Sequence, residues 1–199
     1  RGSLDSWDEM DKSLKDGFRK IENYDNKIIF GHSIGALVAV HGMLNNVVNP
    51  DYLILTAPTF QVNYPEFLKK LAKPLSSLAP NLRSFSNVTK NNLTNDKDVV
   101  KNYFNDPLVF RSITFRAGYE IIKAQDYVNS KIKKLNIETL VLHGENDTIS
   151  PIQGSLELSK LENVKYIKVE NSKHEILNQD TRMYALSEIH EWLKIKSLV

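Results

Sequence analysis

The chain has 199 residues, 41% of them hydrophobic, and its 26 basic and 24 acidic side chains leave a formal net charge of +2. That length buries one sizeable core, and the charges are mixed along it; the densest cluster, Lys131, Lys133 and Lys134, reads as a solvated helix end and not as a nucleic-acid surface. The lack of cysteine excludes disulfides and thiolate chemistry and fits a reducing, cytoplasmic setting, and no apolar run is long enough to span a bilayer.

Ser6-Trp7-Asp8-Glu9 has the form of a capping box, and Trp7, Met10, Leu14, Phe18 and Ile21 recur at helical spacing. A first helix is therefore predicted from Trp7 to Glu22. The short apolar run Lys27–Phe30 reads as a strand. Gly31-His32-Ser33-Ile34-Gly35 follows it and opens an amphipathic stretch from Ile34 to Val48, which Asn49-Pro50 ends. Tyr52–Ala57 reads as a second buried strand, stopped by Pro58.

The pattern then changes. Prolines 58, 65, 74, 80 and 107 divide the stretch up to Phe115 into short pieces with no strand signal, yet Leu68, Leu71, Leu75, Leu78 and Leu82 keep a helix-like spacing. A structureless loop of that length is unusual in a compact domain, so a helical insertion, a cap or lid, is expected. Another helix is predicted from Thr114 to Tyr127, then a strand at Glu138–His143. Ser150-Pro151-Ile152-Gln153 is a second capping box with proline at the first helical position. A strand at Val164–Val169 and a terminal helix over Asp180–Lys194 complete the chain. Strands alternating with helices imply an α/β fold whose core is a sheet of about four parallel strands with flanking helices. The expected partition is residues 1–57 and 116–199 as two parts of that core, with 58–115 as the cap.

In a parallel sheet, ligands and reactive groups gather outside the carboxyl ends of the strands. Three loops leave such ends with reactive residues: Ser33, Asp147 and His174. A G-x-S-x-G set between strand and helix is a nucleophile elbow, in which Gly31 and Gly35 make room for a tight turn that lifts the serine above the sheet. A serine hydroxyl needs a neutral imidazole to take its proton, and a carboxylate to fix that imidazole's tautomer. The backbone N–H of Ile34, opening the next helix, is placed to donate to an oxyanion. Glu145 competes with Asp147 for the acid; Asp147 lies deeper in its loop. His41 and His190 fall on helices and His143 closes a strand, so these read as structural or exposed. No two histidines sit at ligand spacing with a carboxylate, so neither a metal nor a cofactor is expected.

The order Ser, Asp, His is that of an α/β-hydrolase triad, and the chain resembles the monoacylglycerol lipase and lysophospholipase family of that fold over nearly its whole length. Gly31-His32-Ser33-Ile34-Gly35 is similar to that family's elbow, usually G-H-S-M-G-G, with Ala36 in place of the last glycine. Pro80-Asn81-Leu82 and Asp106-Pro107-Leu108-Val109 resemble its cap region. Leu142-His143-Gly144-Glu145-Asn146-Asp147 resembles its acid loop, and His174-Glu175-Ile176-Leu177-Asn178 its histidine loop. The resemblance implies Ser33 as nucleophile, Asp147 as acid and His174 as base, with the cap covering an acyl-chain pocket.

The family also begins with several strands and an H-G loop that supplies a second oxyanion N–H, and nothing here matches them. By this resemblance the chain corresponds to the C-terminal part of a longer hydrolase, and strand Lys27–Phe30 becomes an exposed edge. One oxyanion donor would then be missing, a loss of order 10²–10³ in rate. The expected reaction is hydrolysis of a lipid ester, a monoacylglycerol or lysophospholipid, with transient contact of the cap with a membrane surface and no nucleic-acid partner. Nothing in the sequence specifies an oligomeric state. Fold and triad alone admit a thioesterase, a peptidase, a small-ester carboxylesterase or an inactive fragment as alternatives.

Overall fold

A computed structural model describes residues 2–62 and 66–199, apart from the side chains of Glu66 and Leu68. Pro65 and the Leu68 side chain, both part of the expected cap pattern, thus lie outside the described residues. Helix α1 (Asp8–Phe18) leads into strand β1 (Ile28–His32), helix α2 (Ile34–Leu44) and strand β2 (Tyr52–Thr56). Helix α3 (Glu66–Leu78), strand β3 (Arg83–Phe85), helix α4 (Lys97–Asn105) and strand β4 (Ser112–Thr114) follow, and helix α5 (Phe115–Lys131) returns the chain to the sheet. Strand β5 (Glu138–Gly144), strand β6 (Val164–Val169) and helix α6 (Arg182–Ile195) end it.

The main sheet has the order β1-β2-β5-β6, and all three pairings are parallel. Alternation along each strand divides the core in two. Leu53, Leu55 and Val141 face α2 and α5 with Leu37, Val40 and Val128. Ile54, Leu140 and Leu142 face the other way, towards α6, where Trp192 meets Tyr52 edge-on. Strand β1 is the outermost, bonded only to β2 among the described residues, and Phe30 is 47% exposed on it. The edge anticipated for this strand is therefore present.

Several local expectations need correction. The Ser6 hydroxyl accepts from Asp8 N, but Glu9 reaches back to Asp5 N and not to Ser6, so the box closes one residue early. Helix α1 then ends at Phe18, and turns carry the chain through Ile21. Pro74 does not break its segment: α3 runs through it, and the Ser76 and Ser77 hydroxyls donate to the Lys73 carbonyl one residue before it. The stretch without strand signal contains both strands of an antiparallel pair, β3 with β4. All three residues of β3 are exposed, so no face is buried to impress a period on the sequence. The second capping box starts no α-helix: residues 152–154 and 156–160 form short 3₁₀ turns, and the Ser150 hydroxyl is engaged elsewhere.

Candidate active site

Ser33 sits between the last residue of β1 and the first of α2 with φ 53 and ψ −121, outside the regions ordinary L residues favour. Such a conformation costs about 1–3 kcal/mol and persists only when its surroundings over-determine it. Here the Ser33 N–H donates to Thr56 O at 2.9 Å, and its carbonyl accepts from Ala36 N at 3.1 Å and Thr59 N at 3.2 Å. The two glycines are not equivalent. A Cβ on Gly31 would lie 2.7 Å from Ala36 Cα and 2.9 Å from Gly35 O, whereas one on Gly35 would meet nothing within 4 Å. Only Gly31 is required by the close return of the helix, which corrects the expectation that both glycines make room.

The three sequence-selected residues converge. His174 Nε2 lies 2.8 Å from Ser33 Oγ, and His174 Nδ1 lies 2.7 Å from Asp147 Oδ2. Both His174 and Asp147 are buried. Asp147 Oδ1 accepts from Ile149 N and Ser150 N, each at 2.9 Å. Burial alone would push this carboxyl up; hydrogen bonds from His143, His174 and the Ser150 backbone outweigh it and hold Asp147 at about 2. An ionised carboxylate only accepts, so Nδ1 of His174 carries an N–H, and in the neutral imidazole Nε2 is the acceptor facing the serine. Glu145, the rival acid, turns outward to Lys168 Nζ at 2.6 Å. Of the two carboxylates, Asp147 is the one that meets His174.

The loops bearing acid and base touch directly. A Cβ on Gly144 would lie 2.2 Å from Lys173 O and 2.6 Å from Ser172 O, and Asn146 N donates to Ser172 O at 2.8 Å. Glu175 N donates to Leu93 O at 3.0 Å and so fixes the histidine loop from the other side. Ile34, first residue of α2, has no carbonyl one turn back to receive its N–H, and the helix dipole places positive potential there.

Three further residues that sequence reasoning passed over lie against this cluster. Thr59 Oγ1 lies 3.0 Å from Ser33 Oγ and 2.7 Å from Ser150 Oγ. Its place just beyond the carboxyl end of β2 was the available signal. His143, read as merely closing a strand, is wholly buried: Nε2 lies 2.8 Å from Ser150 O and 3.3 Å from Asp147 Oδ2. Its Nδ1 lies 2.7 Å from Ser155 Oγ, which is 2.7 Å from Tyr166 OH. Since Ser150 O can only accept, His143 carries its proton on Nε2, and the Tyr166 hydroxyl, pushed by burial up to about 12, remains neutral. His32 is held by Thr56 Oγ1 at 3.0 Å and lies 3.4 Å from Glu175 Oε1. His41 pairs with Asp11 at 3.0 Å inside the helical layer, and His190 is exposed; neither approaches Ser33.

A cavity of about 150 Å³ opens on Ser33, lined mainly by Ile34, Val62, Ile113, Ile121, Ile122 and Ile149. Through Ile113, Gly118 and Ile122 it shares walls with a pocket of about 90 Å³ between α3 and α5, lined by Ala72, Leu75 and Phe115. A serine hydroxyl, an imidazole nitrogen and a buried carboxylate in sequence at an apolar cavity suit acyl transfer on a carbonyl carried by an apolar chain.

Comparison with known proteins fits this geometry. The family model described as Hydrolase_4, serine aminopeptidase, S33, matches residues 1–181. A monoglyceride lipase homolog of monkeypox virus is 28% identical over 172 residues, covering 83% of this chain and 62% of that protein. The human monoglyceride lipase is 27% identical over 174 residues, covering 82% of this chain and 55% of its own length. The chain thus spans less than two thirds of either relative. The crystal structure of the Paleococcus ferrophilus monoacylglycerol lipase matches with a TM-score of 0.82 at 24% identity, over 92% of this chain and 74% of that one, which shows a shared fold.

Proposed function

Because the chain belongs to the Hydrolase_4 family (serine aminopeptidase, S33), we propose that it is a serine hydrolase of lipid carboxylic esters, monoacylglycerols or lysophospholipids. The single observation that carries the reading is the contact of Ser33 Oγ with His174 Nε2 at 2.8 Å, on a strained turn facing an apolar cavity. Ser33 Oγ attacks the ester carbonyl carbon as its proton passes to His174 Nε2, and the carbonyl π electrons move onto oxygen, forming an oxyanion to which the Ile34 N–H donates a hydrogen bond. The tetrahedral species collapses; the bond to the alcohol oxygen breaks, and that oxygen takes the proton from His174. Water, deprotonated by His174, then attacks the acyl-enzyme and releases the fatty acid with Ser33 restored. Asp147 stays ionised throughout, orienting the imidazole and stabilising its cationic form.

Residues 58–115 act in this reading as the cap. Phe67, Leu71, Leu78, Leu82, Phe85 and Leu108 within it expose large apolar side chains, which supports transient contact with a lipid surface. Among the described residues no helix is long and apolar enough to cross a membrane. The names of the relatives, monoglyceride lipases, support a monoester substrate. The family's description as an aminopeptidase favours a second reading, cleavage at a peptide N-terminus. That reaction needs an anionic group for the substrate's ammonium, and among the described residues those lining the cavity beside Ser33 include no carboxylate. The test is a panel of long-chain monoacylglycerols, short acyl esters and aminoacyl amides, run on the protein and on Ser33→Ala. Preference for the long-chain ester, lost in the variant, is expected; Ser33-dependent cleavage of the amides instead would overturn the lipid reading.

A further inference from the structure

We propose that Thr59 is a catalytic residue of this site, donating its hydroxyl proton to Ser33 Oγ, and that Ser150 positions it by donating in turn to Thr59. The inference deepens the proposed function and rests on Ser33 being the nucleophile. It follows from counting protons. The ionised Asp147 can only accept, so His174 presents an N–H at Nδ1; in the neutral imidazole that a general base must be, Nε2 then holds a lone pair. Ser33 has one proton, and the 2.8 Å contact with Nε2 takes it. The 3.0 Å contact between Ser33 Oγ and Thr59 Oγ1 therefore has Thr59 as its donor. Thr59 has then spent its only proton, so in the 2.7 Å contact with Ser150 Oγ it accepts, and Ser150 donates.

The result is a closed ring. Its other end is anchored at the same carboxylate, because Ser150 N donates to Asp147 Oδ1 while His174 Nδ1 donates to Oδ2. Both residues are buried, Thr59 at 6% and Ser150 at 0% exposure. Thr59 is itself held by its backbone, its N–H on Ser33 O and its carbonyl taking Gln125 Nε2 at 2.9 Å.

The chemical consequence is specific. With one hydrogen bond donated and one accepted, Ser33 Oγ is held in a single orientation and keeps one lone pair free for the carbonyl carbon. As its proton leaves for His174, negative charge grows on Oγ and the bond from Thr59 strengthens, which is the differential stabilisation that lowers a barrier. The same donor serves the reverse event, when Oγ departs from the acyl carbon during hydrolysis.

The test compares the rate of Ser33 labelling by a fluorophosphonate, which forms the Oγ–P bond, expels fluoride and passes the serine proton to His174. Thr59→Val keeps the shape and removes the hydroxyl, and labelling is expected to slow by about tenfold to a hundredfold, the range for a hydrogen bond to a charge-bearing atom. Thr59→Ser retains the donor and should label within about threefold of the parent, while Ser150→Ala should slow labelling by a smaller factor than Thr59→Val. Thermal melting of each variant reports folding. If Thr59→Val labels as fast as the parent, or Thr59→Ser is as slow as Thr59→Val, the donor role is wrong. If Thr59→Val does not fold, an undiminished rate in Ser150→Ala overturns it instead. Labelling of the parent that survives Ser33→Ala would refute the nucleophile assignment itself, a separate failure.

Discussion

Replacing Asp147 by asparagine keeps the side-chain shape and removes the charge, so it tests both the electrostatics and the chemistry of the site. The carboxyl of Asp147 is lowered from 3.8 to about 2 in the folded chain. A group depressed on folding stabilises the fold above its unfolded pKa, and that stabilisation is lost as pH falls through the folded value. At about 1.4 kcal/mol per unit, the carboxylate contributes about 2 kcal/mol at neutral pH, of which about half is gone by pH 3. Urea unfolding of the parent and Asp147→Asn from about pH 7 down to about pH 3 reads this out. The parent should be more stable by about 2 kcal/mol at pH 7, and the gap should narrow below about pH 4. Turnover should fall by about 10⁴, because the amide turns its NH₂ group on the imidazole and favours the wrong tautomer. Two stability curves that stay parallel from pH 5 to pH 3 would refute the reasoning, since a carboxyl with an ordinary pKa gives no such convergence.

Other outcomes follow from the same contacts. Gly31→Ala drives a Cβ to 2.7 Å from Ala36 Cα and should destabilise by about 1–3 kcal/mol and abolish Ser33 labelling, whereas Gly35→Ala, with open space around it, should change stability by less than about 1 kcal/mol; thermal melting compares them. Gly144→Ala puts a Cβ 2.2 Å from Lys173 O, so it should part the acid and histidine loops and cost most of the activity in an ester assay. His143→Phe leaves the Ser150 carbonyl without its imidazole donor and takes one of three partners from the Ser155 hydroxyl in a buried site, and urea unfolding should register a loss of about 1–3 kcal/mol. Gly118 lines both the Ser33 cavity and its continuation between α3 and α5, and its nearest neighbour would sit at an ordinary 3.5 Å from a Cβ. Gly118→Leu should therefore fold, fill the junction, and cut long-chain hydrolysis by about tenfold relative to a short ester.

The legible parts of the fold are those where one face is buried along a regular element. Strands β2, β5 and β6 lie within a residue of their expected limits because each carries a continuous or alternating apolar run. The terminal helix begins two residues after its expected start and ends one residue beyond its expected end, with Ala185 and Trp192 packed against the sheet. Strand β3 was illegible because nothing on it is buried, and the turns after Ser150 mimicked a helix start because the capping-box letters recur without the helix. At the site, Ser33, Asp147 and His174 were selected by their positions at three strand ends and by their order.

What the chain determines by itself is local: a serine forced into a strained turn between strand and helix, and an acid and a histidine at later strand ends, because periodicity and turn chemistry are written in neighbouring residues. What only the tertiary structure decided is which donors face which acceptors. Glu145 and Asp147 are two residues apart with the same carboxylate, yet one faces Lys168 and the other His174. Thr59 meets Ser33 across 26 residues and Ser150 across 91. Such contacts leave no period in the chain. Hydrogen bonds act over about 3 Å, and only the closing of the sheet brings these hydroxyls within that reach.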